Sequence, residues 1–189
     1  TDDKKNDQLW LMNRAGGEAQ KVTDFKGGVT DYAWSPDGKK IAVIAGDPDP
    51  DGKDGKDDDK TAKPIVIDRY YFMEDVTGYL RHLRDHIYVL DVASRKVEQV
   101  TNGDYDDALP AWSPDSKSIA FASNRHPDAD RVDNWDIYTI AAQKGAQPKQ
   151  ITTYAGVDNA PGRFDTDSYP AWSPDGQYIA YWQGGDPKL

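Results

Sequence analysis

The residues able to carry chemistry are few. Ser35, Ser113 and Ser173 each stand in a Trp-Ser-Pro-Asp sequence, and Ser94 and Ser168 stand apart. A serine hydrolase holds its nucleophile in a Gly-x-Ser-x-Gly elbow, and no serine of this chain has that context. Phosphate-binding loops of the G-x-G-x-x-G or Walker type are absent too. With no Cys, thiolate nucleophiles, thiolate metal sites and disulfides are excluded. One stretch invites a hard cation. Asp47, Asp49 and Asp51 occupy positions 1, 3 and 5 of a calcium-loop pattern, with Gly52 at position 6 and Asp58 at position 12. Carboxylates alternating on a sharp turn can supply the oxygens calcium takes. Position 12 ordinarily holds a bidentate Glu, however, and Lys53, Lys56 and Lys60 dilute the local charge. A calcium loop therefore stands beside a plainer reading, a solvated insertion between two strands. His82 and His86 have the helical metal spacing, but Ile87-Tyr88-Val89 reads as a strand, so the two should not share a helix face. Asp104, Asp106 and Asp107 precede another strand and are expected to face solvent.

These residues need a scaffold, and the scaffold is a repeat. Ala33-Trp34-Ser35-Pro36-Asp37-Gly38 recurs as Ala111-Trp112-Ser113-Pro114-Asp115-Ser116 and as Ala171-Trp172-Ser173-Pro174-Asp175-Gly176. Pro presets φ at the second turn position, Asp bonds its own backbone, and Gly accepts a positive φ. Apolar residues then alternate at Ile41/Val43, Ile119/Phe121 and Ile179/Tyr181, the period of a strand. A second element begins Leu9-Trp10-Leu11, Ile87-Tyr88-Val89 and Ile137-Tyr138-Thr139, and ends Val22-Thr23, Val100-Thr101 and Ile151-Thr152. Without insertions the unit is roughly 45 residues, the blade length of a β-propeller. Each unit is two hairpins, hence four antiparallel strands, A to D. The fold class is all-β, a partial propeller of about three blade equivalents: a half blade over 8–23, a blade over 31–101 with an insertion at 46–85, a blade over 106–152, and a half blade over 169–183. Tyr70 to Leu83 is the one stretch with room for a helical turn. Six Trp and 11 Tyr in so polar a chain fit several small sheet packings better than one broad aliphatic core.

The balance of 23 basic against 33 acidic residues leaves a net charge of −10. Such a chain repels phosphate backbones, which argues against nucleic acid as a general partner. The longest aliphatic run, Ile41 to Ala45, is far short of the roughly 20 apolar residues of a membrane helix.

Trp-Ser-Pro-Asp-Gly, then Asp/His-Ile-Tyr, then a Val/Ile-Thr ending, resembles the TolB-type propeller repeat. That repeat also builds the N-terminal propeller of the prolyl oligopeptidase family of serine peptidases. Asp68-Arg69-Tyr70-Tyr71 through Gly78-Tyr79-Leu80, and Ser123-Asn124-Arg125 before Trp135-Asp136-Ile137-Tyr138, are most similar to acylaminoacyl-peptidase and dipeptidyl-aminopeptidase-like members. The resemblance implies a propeller fragment whose Ser-His-Asp chemistry lies in an α/β-hydrolase domain outside these residues. It implies a periplasmic or secreted setting, peptides as substrates of the parent, and no cofactor. The alternative is a TolB-like propeller that binds a protein and carries no enzyme.

Antiparallel order puts the B–C and D–A connections on one face of the disc. The insertions Gly46 to Asp85, Asn124 to Asn134 and Tyr154 to Ser168 all fall there. Long loops gather where function sits, and in the resembled family a catalytic domain caps one face. Arg69, Tyr70, Tyr71, Glu74 and Asp75 are thus the candidates for substrate access or domain docking; the competing reading is packing and ion pairs within the insertion. The chain opens with a C–D hairpin and closes with an A–B hairpin, so a homodimer in which each half blade completes the other is a further expectation.

Overall fold

A computed structural model describes residues 7–48, 66–67, 69–70, 72–74, 78–79, 82–158 and 169–184. Among them there is no helix. Two four-stranded antiparallel blades form the centre. The first has β3 (Val29–Trp34), β4 (Lys40–Gly46), β7 (Asp85–Asp91) and β8 (Val97–Gln99), in spatial order β3-β4-β7-β8. The second has β9 (Asp107–Trp112), β10 (Ser118–Ser123), β11 (Asp136–Ala141) and β12 (Lys149–Gln150), in order β9-β10-β11-β12. A hairpin of β1 (Trp10–Leu11) and β2 (Gln20–Lys21) lies on one side, and the pair β14 (Ala171–Trp172) and β15 (Ile179–Ala180) on the other. Between Tyr70 and Leu83 there is no helical turn among the described residues. Met73–Glu74 (β5) and Gly78–Tyr79 (β6) pair as antiparallel strands instead. Val157–Asp158 (β13) pairs with Gln183–Gly184 (β16), a ladder inside a segment that read only as a connection.

The period-two pattern divides each blade between two neighbours. In β4, Ile41, Val43 and Ala45 pack with Leu9 and Val22 of the first hairpin. Ala42 and Ile44 turn the other way, onto Trp112, Ile119, Phe121 and Tyr138 of the next blade. Ala122 and Ile137 form a third cluster, against which Ile179 packs.

Three local devices recur. In the Ser-Pro-Asp turn, Gly38 N–H donates to the Ser35 carbonyl at 2.9 Å, Ser35 Oγ donates to Asp37 Oδ1 at 2.7 Å, and Lys40 N–H donates to Ser35 Oγ at 2.9 Å. Ser113 and Ser173 repeat the Ser-to-Asp bond with Asp115 and Asp175. The fourth position is left-handed each time, φ 70° at Gly38, 59° at Ser116 and 71° at Gly176. Ser116 breaks the glycine pattern, and its Oγ accepts Asp37 N–H across the blade boundary at 3.1 Å. The Thr that ends each unit accepts the N–H of the residue opening strand C: Leu9 to Thr23 and Ile87 to Thr101 at 2.8 Å, and Ile137 to Thr152 at 2.9 Å. A buried N–H is costly to leave unmade, which gives these buried threonines a backbone-satisfying role.

The third device joins blades. Trp112 Nε1–H donates to the Ala33 carbonyl at 2.9 Å, and Trp172 Nε1–H donates to the Ala111 carbonyl at 3.0 Å. Each indole thus lies on the Ala of the preceding blade. Burial, however, is unequal. Trp112 is 7% exposed but Trp34 is 47% exposed, so the three tryptophans are equivalent in sequence and not in environment.

That difference sets an expected outcome. Trp112→Ala should cost about 3–5 kcal/mol in urea unfolding, the range for a buried Trp. Trp34→Ala should cost about 1 kcal/mol or less under dilute conditions. Equal losses would contradict this placement.

Candidate functional site

At the insertion-bearing ends of the strands, charged residues gather around a buried core of Arg84, His86 and Asp107. Asp107 opens β9 and is buried, contrary to the solvent-facing expectation. Its Oδ1 accepts from Arg125 at 2.8 Å. Arg125 in turn lies over the rings of Tyr105 and Tyr138, 5.0 Å from each centroid, and its Nε–H donates to Ser123 Oγ at 3.2 Å. Asp104 and Asp106 are drawn in as well. Arg84 is buried and donates from Nε to Asp104 at 2.7 Å and from Nη1 to Asp106 at 2.9 Å. The bond from Arg84 holds the Asp104 carboxyl below its ordinary range. The solvent reading holds for Asp104 and in part for Asp106, and fails at Asp107, because the sequence does not show the Arg125 guanidinium, 18 positions away, that holds it.

His86 sits in β7 among these groups. Nε2 is 3.7 Å from Asp47 Oδ1 and Nδ1 is 3.8 Å from Asp107 Oδ2. Nδ1 and Asp107 Oδ2 face each other across the blade boundary with no partner at hydrogen-bonding distance. Burial works against the imidazolium, but Asp107 and Asp47 outweigh it and raise His86 above its ordinary value. Next door, burial pushes Asp85 up to about 6, and the charge of Asp106 adds to the rise. Asp85, Asp106 and Asp107 line a hollow of about 330 Å³ with Thr30, Leu109 and Tyr169.

Of the calcium-pattern residues, Asp47 is described, and its carboxylate is turned inward, Oδ2 accepting Arg84 N–H at 3.1 Å. Asp49, Asp51 and Asp58 lie outside the described residues. His82 is exposed ahead of β7, 3.9 Å from Asp104. No cluster of three or more His, Cys, Asp or Glu able to hold a metal occurs among the described residues.

The access candidates divide. Arg69 donates to Asp130 through two bonds, Nε to Oδ2 at 3.2 Å and Nη2 to Oδ1 at 2.6 Å. Tyr70 is exposed beneath the Arg131 guanidinium, 4.8 Å from its ring centroid. Both contacts run from the 46–85 insertion to the 124–134 insertion, so the ion pair reaches between insertions and not within one. Tyr71 and Asp75 fall outside the described residues, and Glu74 is described as a strand residue only. Arg69, Tyr70, Arg84 and Arg131 line a cleft of about 470 Å³ together with His82, Asp104, Tyr105 and His126. Nothing in the spacing of Arg69 and Asp130 announced their pairing. The turn serines of the repeat, by contrast, spend their hydroxyls on Asp37, Asp115 and Asp175.

Residues 68–187 match the family model of the dipeptidyl peptidase IV N-terminal region. The chain belongs to that family. It is 30% identical over 135 residues to the uncharacterized peptidase YuxL of Bacillus subtilis, covering 70% of this chain and 20% of that protein. It is 26% identical over 188 residues to dipeptidyl-peptidase 5 of Porphyromonas endodontalis, covering 92% of this chain and 26% of that protein. The chain thus spans about a fifth to a quarter of these curated relatives. The fold matches a putative TolB of Agrobacterium tumefaciens with a TM-score of 0.54 at 20% identity, over 94% of this chain and 51% of that one. Pyrococcus horikoshii acylaminoacyl peptidase matches with a TM-score of 0.54 at 18% identity, over 77% of this chain and 21% of that one. The TolB-like propeller and the peptidase family read from the repeats are both supported.

The charged network predicts a stability profile. Asp85 resists ionisation in the fold, so stability falls as pH rises from its ordinary value to about 6. His86 stabilises below its ordinary value, and this is lost as pH rises through the raised one. Both effects make urea stability greater at mildly acidic pH than at alkaline pH. Asp85→Asn should stabilise by about 1–3 kcal/mol near pH 8 and by little near pH 4. An unchanged pH dependence in that variant would remove Asp85 from the account.

Proposed function

We propose that this chain is the non-catalytic propeller part of a serine exopeptidase. On this reading its inserted face docks an α/β-hydrolase domain and admits only small peptides to it. The observation that carries the proposal is the junction of two insertions: Arg69–Asp130 and Tyr70–Arg131 tie separate blades together around one charged cleft. A cleft rimmed by fixed guanidinium groups and aromatic rings limits what reaches the disc from that side. Membership in a peptidase N-terminal family supports the assignment, and so does the engagement of the repeat serines in turns. Chemistry would then come from the partner domain, and the propeller would contribute selection by size.

Two measurements test this. The 189-residue chain alone should give no turnover of chromogenic aminoacyl or acyl-aminoacyl substrates. Turnover abolished by alanine at Ser35, Ser113 or Ser173 would overturn the proposal. In the full-length gene product, a downstream Gly-x-Ser-x-Gly domain is expected, and Arg69→Ala should raise kcat/KM for long peptides relative to dipeptide substrates severalfold. A gene product without that domain would favour the protein-binding TolB-like alternative. Unchanged length preference would place the gate elsewhere.

A further inference from the structure

The hollow of about 330 Å³ is separate from the cleft between the insertions and shares no lining residue with it. Four carboxylates reach its wall: Asp31 of β3, Asp85 at the start of β7, and Asp106 and Asp107 where β9 begins. No Lys, Arg or His lines it among the described residues. Arg84 and Arg125 hold Asp106 and Asp107 without lining the hollow. That leaves negative charge in excess. Asp85 meets the Thr30 hydroxyl, and no Lys or Arg pairs with it among the described residues. The Asp107 side chain is fully buried, and its Oδ2 has no hydrogen-bond partner. His86 faces that oxygen at 3.8 Å, too far for a hydrogen bond. A buried anionic oxygen without a donor is costly, so this wall suits a ligand that brings donors and positive charge.

The arrangement selects among cations. Calcium takes about six to eight oxygens at roughly 2.3–2.6 Å, and no three His, Cys, Asp or Glu among the described residues stand close enough to hold a metal. Carboxylates spread around a hollow suit a cation that is itself extended. The rest of the wall is largely apolar, with Ile44, Leu109 and Trp135 lining it. An alkylammonium group matches both parts. Its three N–H donors reach separate carboxylates, and its charge and aliphatic stem both gain from an indole. The volume is at the lower end of small-ligand sites, about 300–1,000 Å³.

We propose that the hollow binds an alkylammonium group on a short aliphatic stem, with Asp31, Asp85 and Asp107 as its anionic wall and Leu109 and Trp135 against the stem. A free diamine and a lysine side chain both present this group. Binding is linked to protons. Burial and the Asp106 charge hold the Asp85 carboxyl at about 6, with His86, Thr30 and Asp47 the other groups acting on it. A ligand that needs Asp85 ionised binds about tenfold tighter near pH 7 than near pH 5. His86 loses its charge as pH rises through its raised value, which removes a repulsion and works in the same direction.

Titration calorimetry of the full-length gene product with putrescine, near pH 7 and at low salt, tests this. One saturable site per chain is expected, tightening about tenfold from pH 5 to pH 7. Asp85→Asn removes a carboxyl that burial disfavours, so the fold is kept; it should weaken binding about tenfold and abolish most of the pH dependence. Asp31→Asn keeps an acceptor for the Tyr32 N–H and the Tyr169 hydroxyl and should weaken binding severalfold. Glu18→Gln, at an exposed carboxylate of the first hairpin, should change nothing. 1-Butanol, the same stem without the charge, should give no heat. Competition by N-acetyl-lysinamide assigns the site to a side chain, and its failure to compete assigns it to the free diamine. No saturable binding at millimolar putrescine, equal weakening in Glu18→Gln, displacement by an equal concentration of calcium, or full affinity in both Asp85→Asn and Asp31→Asn would each overturn the proposal.

Discussion

A four-stranded blade has two apolar faces and can bury neither by itself. Everything else in this chain depends on that constraint. β4 makes it visible: Ile41, Val43 and Ala45 need the first hairpin, and Ala42 and Ile44 need the second blade. Hydrophobic burial is non-directional, so it brings sheets together without fixing how they lie. The indole bond to the preceding Ala carbonyl supplies the missing direction. It exists only when the two sheets are in one register, and it satisfies a donor that would be costly to bury unpaired.

Charge enters where this packing ends. The strands run out of apolar residues at Ser123, Asp107 and Asp85, and polar groups must then be reconciled at a blade boundary. Arg125 settles one of them by pairing with Asp107 while stacking on Tyr105 and Tyr138. His86 is the less settled case, held between two carboxylates at contact distance without a well-formed hydrogen bond. Buried ion pairs of this kind are weak evidence for stability. They do specify which strand end lies beside which. The result is a charged rim at the strand ends from which the insertions leave.

What was legible in the sequence was local. The Ser-Pro-Asp turn closes its bonds within five residues, so its composition states its structure. The alternation in β4 and β10 states which residues are buried, because a strand has only two faces. The Thr ending of each unit was visible as a signature, though its role as acceptor of a strand N–H was not. Less was legible about the site. Arg69 and Asp130 are 61 positions apart, and no periodicity links them. Asp107 read as a surface residue because burial belongs to the neighbour as much as to the residue. Trp34 makes the same point in reverse: its sequence context is that of Trp112, and its environment differs because a different surface faces it.

The insertions convert this repeat into something with sides. Identical blades would give a disc whose only features recur around the ring, and a recurring feature cannot select one ligand or one partner. The insertions at 46–85 and 124–134 differ in length and sequence, and they contact each other through Arg69–Asp130 and Tyr70–Arg131. Contacts between insertions on different blades bridge the blade joint beneath them. The same stacking that leaves a blade unable to stand alone therefore fixes the geometry of the cleft. The cleft's geometry thus rests on the packing of tryptophan on alanine below it.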